Sequence, residues 1–329
     1  MQYGFYLTIL TSLLWLNSHI HANSDIKVVK HENRLDLTYH NKLVLSYHLK
    51  DVTPPQGVHE AYHKNGFIHP FNSPSGHALT GIHPQDHYHH TGIWNAWVKT
   101  NYLDQNPDFW NLKNIMLAKQ NKATKSTPAK VRVKSIKSMD QNGFTIHLEH
   151  IAYLNGIHQP ATIILNEELS LHLSIIQNKY VVDYNILQTN ITSESITFPA
   201  YRYGGGIAFR GPHHWGINNS DYLTSEGLNR SNSHATKAKW VAMFGNESPE
   251  LTSQHGIAIL CHPKNIDAPQ YIRTWDKGQM FFNYVPAQSQ PSSLKAHQSH
   301  RLNYRLIAYS GKPDKDFIEQ QYRVFAKEK

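Results

Sequence analysis

The sequence holds a single cysteine, Cys261, in 329 residues. No intramolecular disulfide is therefore available to staple the fold, and zinc sites built from several thiolates are excluded. Cys261 ends the apolar run Gly256-Ile257-Ala258-Ile259-Leu260 and reads as a buried structural thiol rather than a nucleophile. Charge is sparse as well. Only 17% of residues are charged against 40% hydrophobic, so the chain can bury a sizeable core and lacks the composition of a disordered one. Heptads, repeats of fixed length and low-complexity linkers are missing. After the N-terminal segment no apolar run approaches the ~20 residues needed to cross a bilayer, so no membrane span is expected in the mature chain. Basic residues exceed acidic ones by 32 to 24, but they are scattered. The densest stretch, 119–137, has no interleaved aromatics and reads as a solvated loop and strand edge, so nucleic acid is not an expected partner.

The first 24 residues carry no charged side chain, and 3–16 is almost continuously apolar. This is the pattern of a signal peptide cut after Ala22, although no Lys or Arg precedes the apolar core. The expectation is a signal segment over 1–22, one β-sandwich domain over 23–329, and a periplasmic or secreted location.

From residue 27 onward the pattern is strand-like. Segments 27–30, 34–39 and 43–48 alternate or run apolar over strand lengths, and 143–151, 157–168, 169–176 and 179–189 are spaced as in a β-meander. Further strands are expected at 131–133, 196–198, 240–244, 256–261, 279–284 and 300–309. The one clear helical pattern is C-terminal, at 314–325, where Phe317, Ile318, Tyr322 and Phe325 share a face. Residues 52–111 are rich in proline, glycine and histidine and read as a loop-rich insertion, the kind of segment in which functional groups collect. The fold expected is all-β: a large antiparallel sandwich with this histidine-bearing insertion and a C-terminal helix.

Of the 24 histidines, four fall within His83-Pro84-Gln85-Asp86-His87-Tyr88-His89-His90. On an extended backbone His87 and His89 would point to one side and His90 to the other. Two imidazoles on one face can bind a divalent metal or act as an acid/base pair, and Asp86 could orient one of them. Any one of these rings, taken alone, more often just bonds loop backbone; the cluster is what points to chemistry. Upstream, His69 and His77 sit in loops stiffened by proline and glycine. Downstream, Tyr201-Arg202-Tyr203-Gly204-Gly205-Gly206 leads to Arg210, so the backbone can approach closely between two arginines able to fork onto a carboxylate or a sugar oxygen. Glu226, in Thr224-Ser225-Glu226-Gly227, is the candidate partner acid or base. Trp94, Trp97, Trp110, Trp215 and Trp275 offer flat faces for sugar rings, though burial in the core is the commoner fate of tryptophan. His262, before Pro263, completes the candidate substrate-binding set.

These motifs resemble a family of bacterial proteins labelled the "PmoA family". The resemblance runs through His69-Pro70, Ser73-Pro74-Ser75-Gly76, Asp86-His87, His89-His90, Gly92 and Trp97. Phe109-Trp110, Ser225-Glu226-Gly227, Trp240 and His262-Pro263 continue it over most of the mature chain. The label suggests methane oxidation, but the membrane subunit of that name crosses the bilayer several times and this chain has no span to match. The resemblance implies a β-sandwich of the mutarotase-like supersandwich type and an association with carbohydrate breakdown.

Together these features lead to an exported carbohydrate-active enzyme: a lyase, epimerase or hydrolase acting on an oligosaccharide or modified sugar. Asp86, His87, His89, His90 and Glu226 would be its acid/base groups. His69, His77, Trp94, Trp97, Arg202, Arg210, Trp215, His262 and Trp275 would contact substrate. A single divalent metal ion is the one cofactor in view, with His87 and His89 as its candidate ligands. The rival readings are a non-catalytic periplasmic glycan-binding protein and a metal-binding module.

Overall fold

The computed structural model describes residues 25–328, so the expected signal segment lies outside the described residues. Two large sheets face one another. In spatial order, the eight-stranded sheet runs Ile26–Lys30, Arg34–Tyr39, Lys42–His48, Phe67–Phe71, Ile93–Asn95, Ile207–Arg210, Phe281–Val285, Tyr271–Thr274. The nine-stranded sheet runs Ser220–Thr224, Trp240–Asn246, Gln254–Cys261, Ser299–Ser310, Lys179–Asn190, Thr162–Ile176, Gly143–Ala152, Thr127–Met139, Pro107–Asp108. All pairings in both are antiparallel except that of the short Pro107–Asp108 strand.

The period-2 alternation of side chains decides which residues meet between the sheets. In Lys179–Asn190, Val182, Tyr184 and Ile186 point inward and pair in register with Leu173, Leu171 and Leu169 of the neighbouring strand. They pack in one core with Leu35, Leu45, Tyr47, Phe209 and Phe282 of the eight-stranded sheet. Burying each such side chain contributes roughly 1.5–3 kcal/mol, which is ample to fix the register.

A polar layer interrupts this core at one end. The fully buried Glu167 carboxylate accepts from Asn95 Nδ2 (2.9 Å) and Gln188 Nε2 (2.7 Å) and meets His150 Nε2 at 2.8 Å. Three partners on Oε2 offset part of the cost of burying this polar group, whose Oε1 has none among the described residues. Asn95 belongs to one sheet and Glu167 to the other, so the layer also ties the two together.

Two expectations change in detail. The separate strands at 157–168 and 169–176 are a single strand, Thr162–Ile176. No turn residue separates them, and the inward alternation of Leu165, Glu167, Leu169, Leu171 and Leu173 runs through the supposed break. The segment 52–111 is not a pure loop insertion, because it supplies Phe67–Phe71 and Ile93–Asn95 to the middle of the eight-stranded sheet. The C-terminal helix, Lys315–Phe325, forms as expected. Asp314 caps it by accepting from the Phe317 N–H at 3.0 Å, and Phe317, Ile318 and Phe325 pack against Trp240 and Ile307. A short helix, Lys113–Lys119, was not expected.

Candidate active site

Three short central strands of the eight-stranded sheet build the site. Ile93, Ile207, Phe209 and Phe282 face the core, so by alternation Trp94, Ala208, Arg210 and Phe281 face the other way and form a floor. The chain enters this floor through Gly92, whose φ is +57° and where an added Cβ would lie 1.9 Å from the Ile68 carbonyl oxygen. Only glycine fits there. Gly205 serves a similar end, since a Cβ on it would lie 2.3 Å from the Trp97 ring.

Residues 83–90 are not extended. Successive turns close with His87 N–H donating to Pro84 O and His90 N–H donating to His87 O, both at 2.9 Å, and His83 N–H reaches back to His90 O at 2.9 Å. The turns bring all three imidazoles to one side, where an extended chain would have sent His90 away. His90 stacks on His87 (centroids 4.7 Å, 22°) and on Phe281 (4.9 Å, 18°), and His89 meets His90 edge-on at 4.6 Å. His87 also packs against Trp275 at 4.9 Å. The three rings open on a cavity of about 170 Å³ with aromatic walls of Trp110, Tyr201, Tyr203 and Trp275, closed by Val98 and Asn111.

Burial pushes the His89 and His90 imidazoles well below the usual histidine range, with Lys64 adding to the effect at His89 and the neighbouring His89 ring at His90. Both are therefore neutral at pH 7. Among the described residues no protein group hydrogen-bonds the His89 ring, and the buried His90 Nδ1 has no partner. Lone pairs and N–H groups are thus left for a ligand. His87 Nδ1 stands 3.0 Å from Asp86 Oδ2, close enough for an ion pair but off the line a hydrogen bond needs. Asp86 is held in turn by Arg210 Nη2 at 3.1 Å.

Residues 34–323 match the model of DUF6807, a family of unknown function. The chain belongs to the DUF6807 family. No curated protein matches it significantly. Among solved structures, the DUF6807 chain is similar to a galactose mutarotase related enzyme of Lactobacillus acidophilus, with 6% identity, a TM-score of 0.38 and coverage of 87% of this chain and 98% of that one. A galactose mutarotase-like protein of Lactobacillus casei has 7% identity and a TM-score of 0.37, with 86% and 100% covered. A polysaccharide lyase has 11% identity and a TM-score of 0.37 over 91% of this chain, which spans 34% of the lyase. Likenesses this faint say nothing of activity.

The other expected site residues of the DUF6807 chain divide clearly. Trp275 walls the cavity, and Trp94 lies buried behind it, 5.2 Å from the His90 ring. Arg210, expected to hold a substrate oxygen, is buried. It sits 5.1 Å from the Trp275 ring, does not line the cavity and steers Asp86 through Nη2, which also meets Gln279, while its Nε and Nη1 have no partner among the described residues. Trp97 is an interior residue whose Nε1 donates to Gln188 Oε1 at 2.9 Å. His69 pairs with the Thr80 hydroxyl at 2.9 Å, and burial pushes it down to about 4. Arg202 and Glu226 are exposed; the Glu226 carboxylate accepts from Ser225 Oγ at 3.0 Å, and neither residue lines the cavity. His262 lines a larger hollow of about 670 Å³ on the outer face of the nine-stranded sheet, with Lys264, Arg301 and Asn303. Among the described residues its lining brings together no comparable set of imidazoles and aromatic rings. His77 and Trp215 meet elsewhere, around His255.

Sequence reasoning missed Lys64. Its ammonium is buried, 4.7 Å from the centre of the Trp94 ring, and donates to the His89 carbonyl at 3.3 Å. Desolvation holds it at about 7. It belongs to no motif, and nothing in its neighbours signals burial. Tyr201 and Tyr203 were visible only as flanks of the glycine run.

Proposed function

We propose that the cavity at His89 is the active site of a carbohydrate-active enzyme that moves protons on a single sugar ring, by elimination or epimerisation. The observation that carries this reading is the convergence of two neutral imidazoles and the Asp86-paired His87 on one aromatic-walled cavity. Trp110, Trp275, Tyr201 and Tyr203 supply flat apolar faces of the kind that stack on sugar C–H groups. At about 170 Å³ the cavity is smaller than the roughly 300–1,000 Å³ of pockets that enclose drug-sized ligands, so it accepts one ring or chain end rather than an oligosaccharide along its length.

His89, neutral and without a protein partner, acts as the base. His87, whose ring centroid lies 5.6 Å from that of His89, returns a proton from a second direction, with Asp86 steering its ring. Among the described residues no carboxylate lines the cavity, so hydrolysis by a pair of carboxylic acids has no support here. The reading carries with it the export expected from the N-terminal sequence. It is tested by incubating the mature chain with a panel of mono- and oligosaccharides, including oxidised and uronic ones, and reading products by mass and NMR. An unsaturated or epimerised product is expected. Saturable sugar binding with no product from any substrate would leave a glycan-binding protein in its place.

A further inference from the structure

His77, Glu247 and His255 come together from three separate pieces of chain. His77 ends the tight turn after Phe67–Phe71, closed by Gly76 N–H to Ser73 O at 2.8 Å and Ser73 N–H to His77 O at 2.9 Å. Glu247 follows the strand Trp240–Asn246 directly, and His255 lies near the start of its neighbour, Gln254–Cys261. One donor atom from each residue lies within 4.8 Å of the other two, and among the described residues this is the one group of three such side chains to converge so closely. His77 Nδ1 stands 3.7 Å from Glu247 Oε1, and the His77 and His255 rings are 5.4 Å apart.

We propose that these three residues bind one first-row divalent cation of the zinc type, which fastens the turn at 73–77 to the nine-stranded sheet. Two imidazoles and a carboxylate are a donor set that suits zinc and its neighbours and leaves a coordination position open. The second observation is the state of His255. It is fully buried, and among the described residues neither of its ring nitrogens has a partner. Among the described residues His255 is the one histidine with both buried ring nitrogens in that state, and an imidazole so placed, facing two further donors, fits an ion. Donors of such a cation sit about 2.0–2.2 Å from it and so roughly 3–3.5 Å from one another; closing the present cluster needs movements of about an ångström.

The surroundings hold the donors in place. Ser253 Oγ donates to Glu247 Oε2 at 2.7 Å, fixing that carboxylate from behind, and the Trp215 ring lies 5.4 Å from His255. Ser75 Oγ, 3.2 Å from His77 Nδ1 and 3.3 Å from Glu247 Oε1, adds a further oxygen at the mouth. The Ser75 N–H is itself tied to Ser310 Oγ at 2.9 Å. The site shares no residue with the cavity at His89, so it stands or falls independently of the proposed activity.

The test uses the purified mature chain, stripped with a chelator and titrated with Co²⁺ and Zn²⁺. One equivalent of Co²⁺ should give a saturable visible absorption band, displaced by Zn²⁺, and Zn²⁺ should raise Tm by several degrees. Glu247→Gln and His77→Ala should each weaken Co²⁺ binding at least 100-fold, while His87→Ala leaves it unchanged. The His77 side chain is half-exposed, so its loss does not threaten folding, which circular dichroism of each variant checks. Absence of a saturable one-equivalent band overturns the proposal. So does a band that persists in His77→Ala and Glu247→Gln, or one lost only in His87→Ala.

Discussion

Replacing Lys64 with methionine tests the electrostatics beneath the site. The Lys64 side chain is buried, and among the described residues its ammonium makes one hydrogen bond, at 3.3 Å to the His89 carbonyl, and lies 4.7 Å from the centre of the Trp94 ring. No carboxylate among the described residues comes within ion-pair distance of it. Burial holds the amine at about 7, against 10.5 for an exposed lysine. Below pH 7 the amine is charged in both the folded and the unfolded chain, and the full desolvation cost falls on the folded one. As pH rises above 7 the folded chain sheds the proton while the unfolded chain keeps it, so stability rises with pH. By linkage the wild type should gain roughly 1.5–2 kcal/mol between pH 7 and 8.5 from this residue alone. The Cys261 thiol, which burial pushes up to about 12, acts in the opposite direction, but mainly above about pH 9. Methionine keeps the apolar stem and removes the charge, so Lys64→Met should be more stable at pH 7 by roughly 1–4 kcal/mol and should lose the pH slope. Urea unfolding followed by tryptophan fluorescence at pH 7 and 8.5 measures both. Equal slopes in the two proteins would refute the reasoning.

With His89 as the base, and its imidazole held well below the usual range by burial, the acid limb of kcat/KM should lie well below the pH at which an ordinary histidine titrates. An acid limb centred at pH 6.5 or higher contradicts this. Gly92→Ala should cost roughly 3 kcal/mol or more, or abolish soluble expression, because the new methyl meets the Ile68 carbonyl at 1.9 Å; a urea midpoint equal to that of the wild type argues against the close approach. Trp97→Phe should cost roughly 1–2 kcal/mol through its lost bond to Gln188 and leave KM unchanged, whereas a substrate platform would raise KM.

The sheets were legible because their signal is local. Alternation placed strands at 179–189 and 256–261, within two residues of Lys179–Asn190 and Gln254–Cys261, and the shared face of Phe317, Ile318, Tyr322 and Phe325 marked the helix. The histidine cluster was legible because its members are neighbours in sequence, but their directions were not. Pro84 begins a set of turns rather than a strand, and that put His90 beside His87. What pattern could not show is what topology brings in from afar. Tyr201, Tyr203 and Trp275 reach the cavity only because Ile207–Arg210 and Phe281–Val285 pair beside Ile93–Asn95. For the same reason Trp97 and Arg210, both plausible ligand groups by type, proved to be interior residues with protein partners. Glu247 and His255 were passed over, since neither has a chemical neighbour within a few residues.

The most direct test of the account is rescue of a base-deleted variant. His89→Ala should lower kcat by roughly 10²–10⁴-fold while leaving sugar affinity near that of the wild type, and added imidazole should restore part of the rate in a saturable way. Turnover by His89→Ala at the wild-type rate would contradict a proton-transfer site in this cavity.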